Sequence, residues 1–485
     1  MINLWELRVN LTTSYLEPNG PVLRTLAALR SAATPQFGLR LLVSAALFIF
    51  FLPFLALLFY AIPATDDFCK AALSYDAVRQ SGVLSVTWMH YMKWTPRPLT
   101  VFLQSLSMSK VSLVYGYGWL LLGVIVVDVA ALCYFFRQIF GLTTGRSLLA
   151  ALSFYAAYVA SITQPAEMLY WLTGATEYNL SLAALLVLVS LLYRPTGTFR
   201  YYLGVALLSL AIPAMHEIAG TLLCAILLVA VAVSRFKRSR APHLYLSLGL
   251  AGLSQTAMML APGIAVRAAR EHRQLWDVSH AAKWFAHAFY HGLNWLAYPA
   301  VLVGALCIAL LVQEQRNGGD SVQPPRWFGP ACLWCMFLVL CEAALVEIAT
   351  STWLPPYVFP WFQFVFWLLM VCVLIGCVPE VSRVSFSPGT RIGVFVLFSL
   401  LLLGSSNFRA AVEDLRGPAR SWWRMNADRL QEHGSALEFR QPSVSPKLLM
   451  HQHLTADARC WANRCMATYL GAKTVVVKDS TESCP

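Results

Sequence analysis

The chain has 485 residues, of which 58% are hydrophobic and only 12% are charged. A soluble globular protein carries about 25% charged residues, so the composition excludes that class. The net charge of +12 lies mostly in short loops between apolar runs. That distribution is typical of topology signals and lipid-headgroup contacts, and it argues against a nucleic-acid partner.

The apolar runs predict an all-α polytopic membrane protein with about 11 transmembrane helices, because crossing a bilayer takes about 17–25 apolar residues. The predicted spans are 41–62, 114–136, 147–163, 179–193, 201–214, 218–234, 243–261, 286–312, 328–350, 357–378 and 391–406. The fifth is short and ends at Pro213, which is typical of a broken or re-entrant element. Residues 1–40 would form an N-terminal segment, 41–406 the transmembrane domain and 407–485 a small C-terminal domain.

The charge of the short loops predicts the orientation. The loops on the N-terminal side hold twelve arginines and lysines, from Arg137 to Arg391, whereas the opposite short loops 164–178, 215–217 and 351–356 hold none. The positive-inside rule therefore predicts a cytoplasmic N-terminus, and an odd number of spans puts the C-terminus outside.

The outer loop 63–113 begins with two adjacent carboxylates, Asp66 and Asp67, and continues as amphipathic segments that predict helices at the membrane surface. A carboxylate held close to the membrane is partly desolvated, so its basicity rises and it can serve as a general base. Two alternatives are a divalent-cation site for Mg²⁺ or Mn²⁺ and a solvated helix exit.

Arginines of the outer segments are candidates for binding phosphate. Arg97 stands between two prolines, and its guanidinium fork matches phosphate oxygens. Arg267 and Arg270 follow the helix break at Pro262–Gly263, where a new helix N-terminus would also favour an anion. Contact with lipid headgroups is the alternative for Arg97.

Two further outer segments carry candidate sugar-binding side chains. The connection between spans three and four holds Glu167, Tyr170, Trp171, Glu177 and Asn179. Aromatic faces and carboxylates suit sugars, while the alternative is the aromatic belt of a membrane interface.

The turn between spans five and six holds His216 and Glu217. Ionisable groups between apolar helices are costly and by default functional. The alternative is a His–Glu hydrogen bond that holds two helices together.

The C-terminal segment shows a helical pattern from Phe408 to His433 and a strand-like run at 473–477. Its two closely spaced cysteines, Cys460 and Cys465, predict a structural disulfide, because the outer compartment permits one.

The chain resembles the GT-C class of membrane glycosyltransferases and, more closely, a bacterial family related to the serotype-converting glucosyltransferases that modify O-antigen. The motifs that carry the likeness are "DDF", "TPRPLT", "YWLTGATEYNL", "HEIAG", "APGIAVR" and, in the tail, "DARCWANRCMATYLGAKTVVV". They cover roughly residues 60–275 and 455–477. This chain has Pro96 where the family pattern leads us to expect Gly, and Ile264 where it leads us to expect Asn.

The resemblance implies an enzyme of the bacterial inner membrane with a GT-C-like fold and a periplasmic C-terminus. It would move a monosaccharide from a polyprenyl-phosphate donor to a glycan acceptor such as lipopolysaccharide, with inversion. Asp66 or Asp67 would be the base, the arginines would bind the donor phosphate, and the residues of the two sugar-binding segments would shape the sugar site. A flippase for lipid-linked sugars and an O-antigen polymerase remain alternatives.

Overall fold

The computed structural model describes residues 35–64, 66–108, 113–236, 241–270, 280–317, 325, 327–350, 357–377, 386–440, 445–451, 454–478, 480 and 484. Most of the predicted N-terminal segment 1–40 lies outside these residues. So do several residues used to predict the orientation: 237–240, Arg326, Arg383 and the short loop 351–356.

The membrane part and its outer loops are helical. In chain order the helices are α1 (Pro35–Leu58), α2 (Asp66–Ser81), α3 (Val83–Lys93), α4 (Pro98–Met108), α5 (Tyr117–Phe140), α6 (Thr144–Ser161), α7 (Leu172–Tyr193), α8 (Phe199–Met215), α9 (Glu217–Phe236), α10 (Pro242–Met259), α11 (Pro262–Arg270), α12 (Ala281–Trp295), α13 (Pro299–Asn317), α14 (Phe328–Thr350), α15 (Phe359–Cys377), α16 (Pro388–Leu403) and α17 (Ser406–Leu415). A separate π-helical turn (Ala166–Tyr170) precedes α7, and a second π-helical turn (Ala175–Asn179) lies inside α7.

Among the described residues, eight helices are long and apolar enough to cross a membrane: α1, α5, α7, α9, α10 with α11, α13, α14 and α15. The pair α16 and α17, bent by 49°, would form a ninth. These helices support the prediction of an all-α multi-pass membrane protein. The predicted spans 147–163 and 201–214 correspond to α6 and to α8, an apolar helix of 17 residues, and the number eleven remains a prediction.

The predicted span 286–312 is wrong as a single helix. The segment 286–312 is not one helix but two, α12 and α13, separated at residues 296–298. Pro299 has no backbone N–H and therefore suits the first position of a new helix. The Trp295 carbonyl just before the break accepts a hydrogen bond from Trp367 Nε1 at 2.9 Å, so the break is stabilised by packing on α15.

The outer loop 63–113 is helical as predicted, with α2, α3 and α4 arranged around the end of the bundle. Helix α4 is attached to the bundle by two buried side chains. Thr100 donates to the Met215 carbonyl at 2.8 Å, and Gln104 donates to the Thr176 hydroxyl at 2.6 Å. The outer loop is therefore part of the packed structure.

The C-terminal domain adds a small sheet to the predicted helices. Its elements are α18 (Pro418–Arg429), β1 (Ala436–Arg440), α19 (Trp461–Leu470) and β2 (Thr474–Lys478). The strands pair in parallel, from Ala436 opposite Thr474 to Arg440 opposite Lys478. Helix α17, helix α18 and strand β2 confirm the sequence pattern, whereas β1 was not predicted.

The predicted Cys460–Cys465 disulfide is wrong. Cys460 pairs with Cys484, and Cys465 pairs with Cys69 of α2. Cys460 caps the N-terminus of α19 and Cys465 lies within it, and side chains five positions apart on a helix point about 140° apart. The two cysteines therefore face different partners.

Candidate functional site

The two adjacent aspartates at the start of α2 differ completely in their surroundings. Asp67 is fully buried. Its Oδ1 accepts hydrogen bonds from the Thr173 backbone N–H at 3.0 Å and the Thr173 hydroxyl at 2.7 Å. Its Oδ2 accepts from the Tyr117 hydroxyl at 2.6 Å and the Ala64 N–H at 3.2 Å.

Both carboxylate oxygens of Asp67 therefore face two donors each, which fills their usual hydrogen-bonding capacity. Burial raises the pKa of Asp67, and the hydrogen bonds from Tyr117, Thr173 and Ala64 oppose that rise. This arrangement connects the start of α2 to α5 and α7. It leaves Asp67 no lone pair for a proton from a substrate or for a metal ion, so its role is to position the helix.

Asp66 is half-buried, and no described residue donates a hydrogen bond to its carboxylate. Burial raises its pKa, Lys70 lowers it, Glu177 raises it, and Arg267 and Arg97 lower it. Asp66 is thus an accessible carboxylate of increased basicity inside a field of neighbouring charges, which are the properties expected of a general base.

Four charged side chains beside Asp66 form a continuous chain of ion pairs, which we call the ion-pair ladder: Lys70, Glu177, Arg97 and Glu217. Lys70 Nζ donates to Glu177 Oε1 at 3.0 Å. Arg97 donates through Nη1 to Glu177 Oε2 and, through Nε and Nη2, to both oxygens of Glu217 at 2.6 Å each.

The ladder alternates in sign and its four formal charges cancel. The four members come from four different parts of the chain. Lys70 is on α2, Arg97 directly precedes α4, and Glu177 and Glu217 lie near the starts of α7 and α9. Arg97 also accepts the first hydrogen bond of α4, from the Val101 N–H at 3.0 Å. The short runs 96–98 and 216–217 that appeared separate in sequence therefore meet at one end of the bundle.

The ladder changes the expected role of Arg97. Its guanidinium is occupied by two glutamates, and these carboxylates stabilise the cation, which raises the pKa of Arg97 well above its usual range despite burial. Three of the five N–H groups of Arg97 donate to these glutamates, so a phosphate would have to use the other two, beside carboxylates that already balance the charge of the guanidinium. Lys70, which sequence reasoning missed, donates to one carboxylate within the described residues, although an ammonium has three donors.

Arg267 is brought near Asp66 by close packing of α11 on the end of α3. A Cβ on Gly263 would lie 2.7 Å from both the Trp94 nitrogen and the Tyr91 oxygen, so only glycine fits here. The Arg267 guanidinium lies 5.2 Å from the centre of the Trp94 ring, in cation–π contact. Arg267 also lowers the pKa of Asp66, so the predicted arginine lies close enough to act on that carboxylate. The side chain of Arg270 lies outside the described residues.

The start of α9 is also closely packed. A Cβ on Gly220 would lie 2.8 Å from Pro213, and Gln255 Nε2 donates to the Glu217 carbonyl at 3.1 Å. His216 is fully buried, its ring is 4.8 Å from that of Tyr178, and its two ring nitrogens have no hydrogen-bond partner among the described residues. The alternative interpretation, in which a His216–Glu217 hydrogen bond holds α8 and α9 together, is therefore wrong.

Two of the predicted sugar-binding residues serve packing. The Tyr170 hydroxyl donates to the Phe54 carbonyl at 3.1 Å, and Asn179 Nδ2 donates to the Met168 carbonyl at 2.9 Å. Both side chains therefore contribute to the packing around the start of α7, and their role in sugar binding stays a prediction.

Two more of these residues, Glu167 and Trp171, flank the close approach at Gly174, where a Cβ would lie 2.4 Å from the Glu167 carbonyl oxygen. Burial raises the pKa of Glu167 to about 7, so this half-buried carboxyl titrates near neutrality. Trp171 is largely buried, with its ring 6.3 Å from that of Tyr357.

In the part of the chain that the structure describes, no group of three or more His, Cys, Asp or Glu side chains is arranged to hold a metal ion. No family model, curated protein or solved structure matches the chain.

Proposed function

We propose that the chain is a membrane glycosyltransferase that uses a polyprenyl-phosphate sugar as donor and acts at the periplasmic face of the bacterial inner membrane. The observation that carries the proposal is Asp66. It is an accessible carboxylate of raised pKa, next to Lys70 and Arg267, at the end of a bundle of membrane-spanning helices. Such a site offers a base and cations beside the lipid boundary.

The donor explains why the enzyme is a helical bundle. A polyprenyl phosphate cannot leave the bilayer, so the sugar must be transferred where membrane helices end. The site lies where α1 and α8 end and where α5, α7 and α9 begin, which places it at one face of the bundle. One disulfide joins α2 to the C-terminal domain and the other lies within that domain. Disulfides persist in oxidising compartments such as the periplasm, which supports the outer face.

The proposed reaction is a direct displacement. The acceptor hydroxyl oxygen forms a bond to the anomeric carbon, the bond from that carbon to the phosphate oxygen breaks, and polyprenyl phosphate leaves with the electron pair. The proton of the hydroxyl passes to Asp66. One displacement inverts the configuration at the anomeric carbon, and the acceptor is a glycan such as lipopolysaccharide.

Charge stabilisation in this reaction is assigned to Arg267 and Lys70. The leaving phosphate gains negative charge as the bond breaks, and fixed cations beside it lower the barrier by electrostatic stabilisation. Arg97, held by Glu177 and Glu217, keeps the ladder together and orients Lys70 through their shared partner Glu177.

The ladder also defines a polar boundary for the sugar. The carboxylates of Glu177 and Glu217 have their charges compensated by Arg97 and Lys70, so they can accept hydrogen bonds from sugar hydroxyls without repelling the donor phosphate.

The test is a transfer assay with the purified protein in proteoliposomes, a radiolabelled polyprenyl-phosphate sugar and rough lipopolysaccharide. We expect the label to move to the acceptor as single sugar units. Movement of intact donor across the bilayer without transfer would indicate a flippase, and growth of long repeats would indicate a polymerase; either result would overturn the proposal.

A further inference from the structure

The first turn of α2 makes contacts on two opposite sides. On one side, Asp67 is hydrogen-bonded to α5 and α7, and Lys70 is paired with Glu177. On the other side, Phe68 and Cys69 contact the C-terminal domain. Asp66 itself receives no hydrogen bond from the described residues, so its position depends on the backbone of this turn.

The contact with the C-terminal domain is both apolar and covalent. Phe68 is buried in a cluster with Leu437, Phe439 and Met466, and its ring centre lies 5.5 Å from that of Tyr469. Cys69 forms a disulfide with Cys465, which is 396 positions later in the chain. Residues of β1, α19 and β2 thus surround the turn that presents Asp66.

The C-terminal domain is in turn fixed to the bundle. Asn407 at the start of α17 donates to the carbonyls of Val159 and Ile162, at 2.8 Å each, and these residues end α6. Phe408 stacks on Phe50 of α1 with ring centres 5.9 Å apart. The domain is therefore a fixed bridge from the bundle to the outer side of α2.

We propose that the C-terminal domain is a positioning element of the active site, and that Phe68 and the Cys69–Cys465 disulfide set the position of the Asp66 carboxylate. This inference rests on the proposed function of Asp66 as the base. It gives the 79-residue tail, from 407 to 485, a role in turnover in addition to stability, and it makes turnover depend on an intact disulfide.

The reason is geometric. A general base acts only within hydrogen-bonding reach of the proton that it removes, and a displacement of 1 Å can reduce a rate about 10²-fold. The hydrogen bonds of Asp67 hold the turn from the bundle side only. Without the contacts on the other side the turn can rotate about the line between its two bundle contacts, Asp67 and Lys70, which moves Asp66 while Lys70 stays paired with Glu177.

The experiment compares four full-length proteins in lipid nanodiscs: wild type, the double variant Cys69→Ser with Cys465→Ser, Phe68→Ala, and a matched control. The control is Cys460→Ser with Cys484→Ser, which removes the other disulfide of the same domain and leaves every residue of α2 unchanged. Two quantities are measured for each protein: the kinetics of sugar transfer and the hydrogen exchange of the α2 amides.

We expect the Cys69–Cys465 variant to lose about tenfold to 10²-fold in kcat, with the donor KM within about twofold of wild type, because binding groups stay in place while the base moves. Phe68→Ala should act in the same direction, and Phe68→Leu should recover most of the activity. The control should keep its kcat within about twofold. The α2 amides should exchange faster in the Cys69–Cys465 variant and in Phe68→Ala, but not in the control.

The outcomes separate the two proposals. A wild type that transfers sugar, with a Cys69–Cys465 variant of equal kcat, would overturn the positioning role and leave the function standing. A wild type that transfers no sugar would overturn the function. Hydrogen exchange then still decides whether the C-terminal domain holds α2 in place. Equal exchange of the α2 amides in the Cys69–Cys465 variant and in the control would overturn the positioning role as well. If the double variant does not fold, Phe68→Ala and Phe68→Leu decide in the same way.

Discussion

Replacing each aspartate of the pair by asparagine should have opposite effects, because Asp67 is a positioning residue and Asp66 is the proposed base. In Asp67→Asn, one carboxylate oxygen becomes an NH₂ group. Each oxygen of Asp67 faces a backbone N–H, from Thr173 on one side and Ala64 on the other. These donors cannot reverse, so either amide orientation sets an NH₂ against an N–H.

The magnitude follows from the donors that lose their acceptor. The amide NH₂ and the facing backbone N–H both become unsatisfied, at about 1–3 kcal/mol each. Removing a buried negative charge offsets part of this cost. We therefore expect Asp67→Asn to lower the free energy of unfolding by about 2–4 kcal/mol.

Asp66→Asn should leave the stability unchanged or raise it. Burial raises the pKa of Asp66 in the folded protein, which means that the ionised form is the less favourable one there, and an uncharged amide removes that penalty. Sugar transfer, in contrast, should fall by about 10²–10⁴-fold, the usual contribution of a general base.

The assay measures thermal unfolding of the two purified variants in the same detergent, alongside transfer activity. The expected pattern is a lower Tm for Asp67→Asn and an unchanged or higher Tm for Asp66→Asn. An Asp67→Asn protein with the Tm of wild type and no activity would refute the reasoning, because it would make Asp67 a reactive group and not a positioning one.

Three further predictions concern the surroundings of Asp66. Arg97→Ala leaves two glutamates without their guanidinium partner and should cost about 3–5 kcal/mol in unfolding free energy; Arg97→Lys should cost less, and chemical denaturation of both variants checks this order. The transfer rate should fall as the pH drops through the raised pKa of Asp66. Lys70→Met should shift this fall to higher pH, because Lys70 lowers the pKa of Asp66. A pH profile of kcat/KM that is the same in both proteins would contradict the assignment of Asp66 as the base. Gly263→Ala should reduce kcat/KM by at least about tenfold, since a Cβ there would displace α11. Gly249→Ala is the control, because a Cβ at that position meets nothing within 4 Å. It should keep wild-type kinetics and add about 0.5–1 kcal/mol of stability.

Much of the fold was accessible from hydropathy alone, because long apolar runs have few alternatives to membrane helices. The break inside 286–312 was not, since the few polar residues of the run, such as His287, His291 and Asn294, do not interrupt its apolar character, and only Pro299 marks the new helix. Strand β1 was also missed, because its alternating run is only five residues long and its partner β2 lies 34 or more positions later in the chain.

In the candidate site, too, some features could be predicted from the sequence and others could not. The charged positions Asp66, Arg97, Glu177 and Glu217 were identified individually, because ionisable groups beside membrane helices are costly. Their mutual pairing depends on tertiary contacts between α2, α4, α7 and α9, which no local pattern encodes.

Residues that connect the site to the rest of the molecule were harder to find. Lys70 lies four positions after Asp66, on the same helical face, and this spacing was the available signal for its role. The Cys69–Cys465 disulfide joins positions 396 apart, whereas the close spacing of Cys460 and Cys465 favoured the wrong pair.

The most direct test of the central claim is the single-turnover rate of sugar transfer from labelled polyprenyl-phosphate donor by Asp66→Asn, measured against wild type at equal amounts of folded protein. The variant should bind donor as wild type does and transfer its sugar at least about 10²-fold more slowly. A rate equal to that of wild type would contradict the assignment of Asp66 as the base.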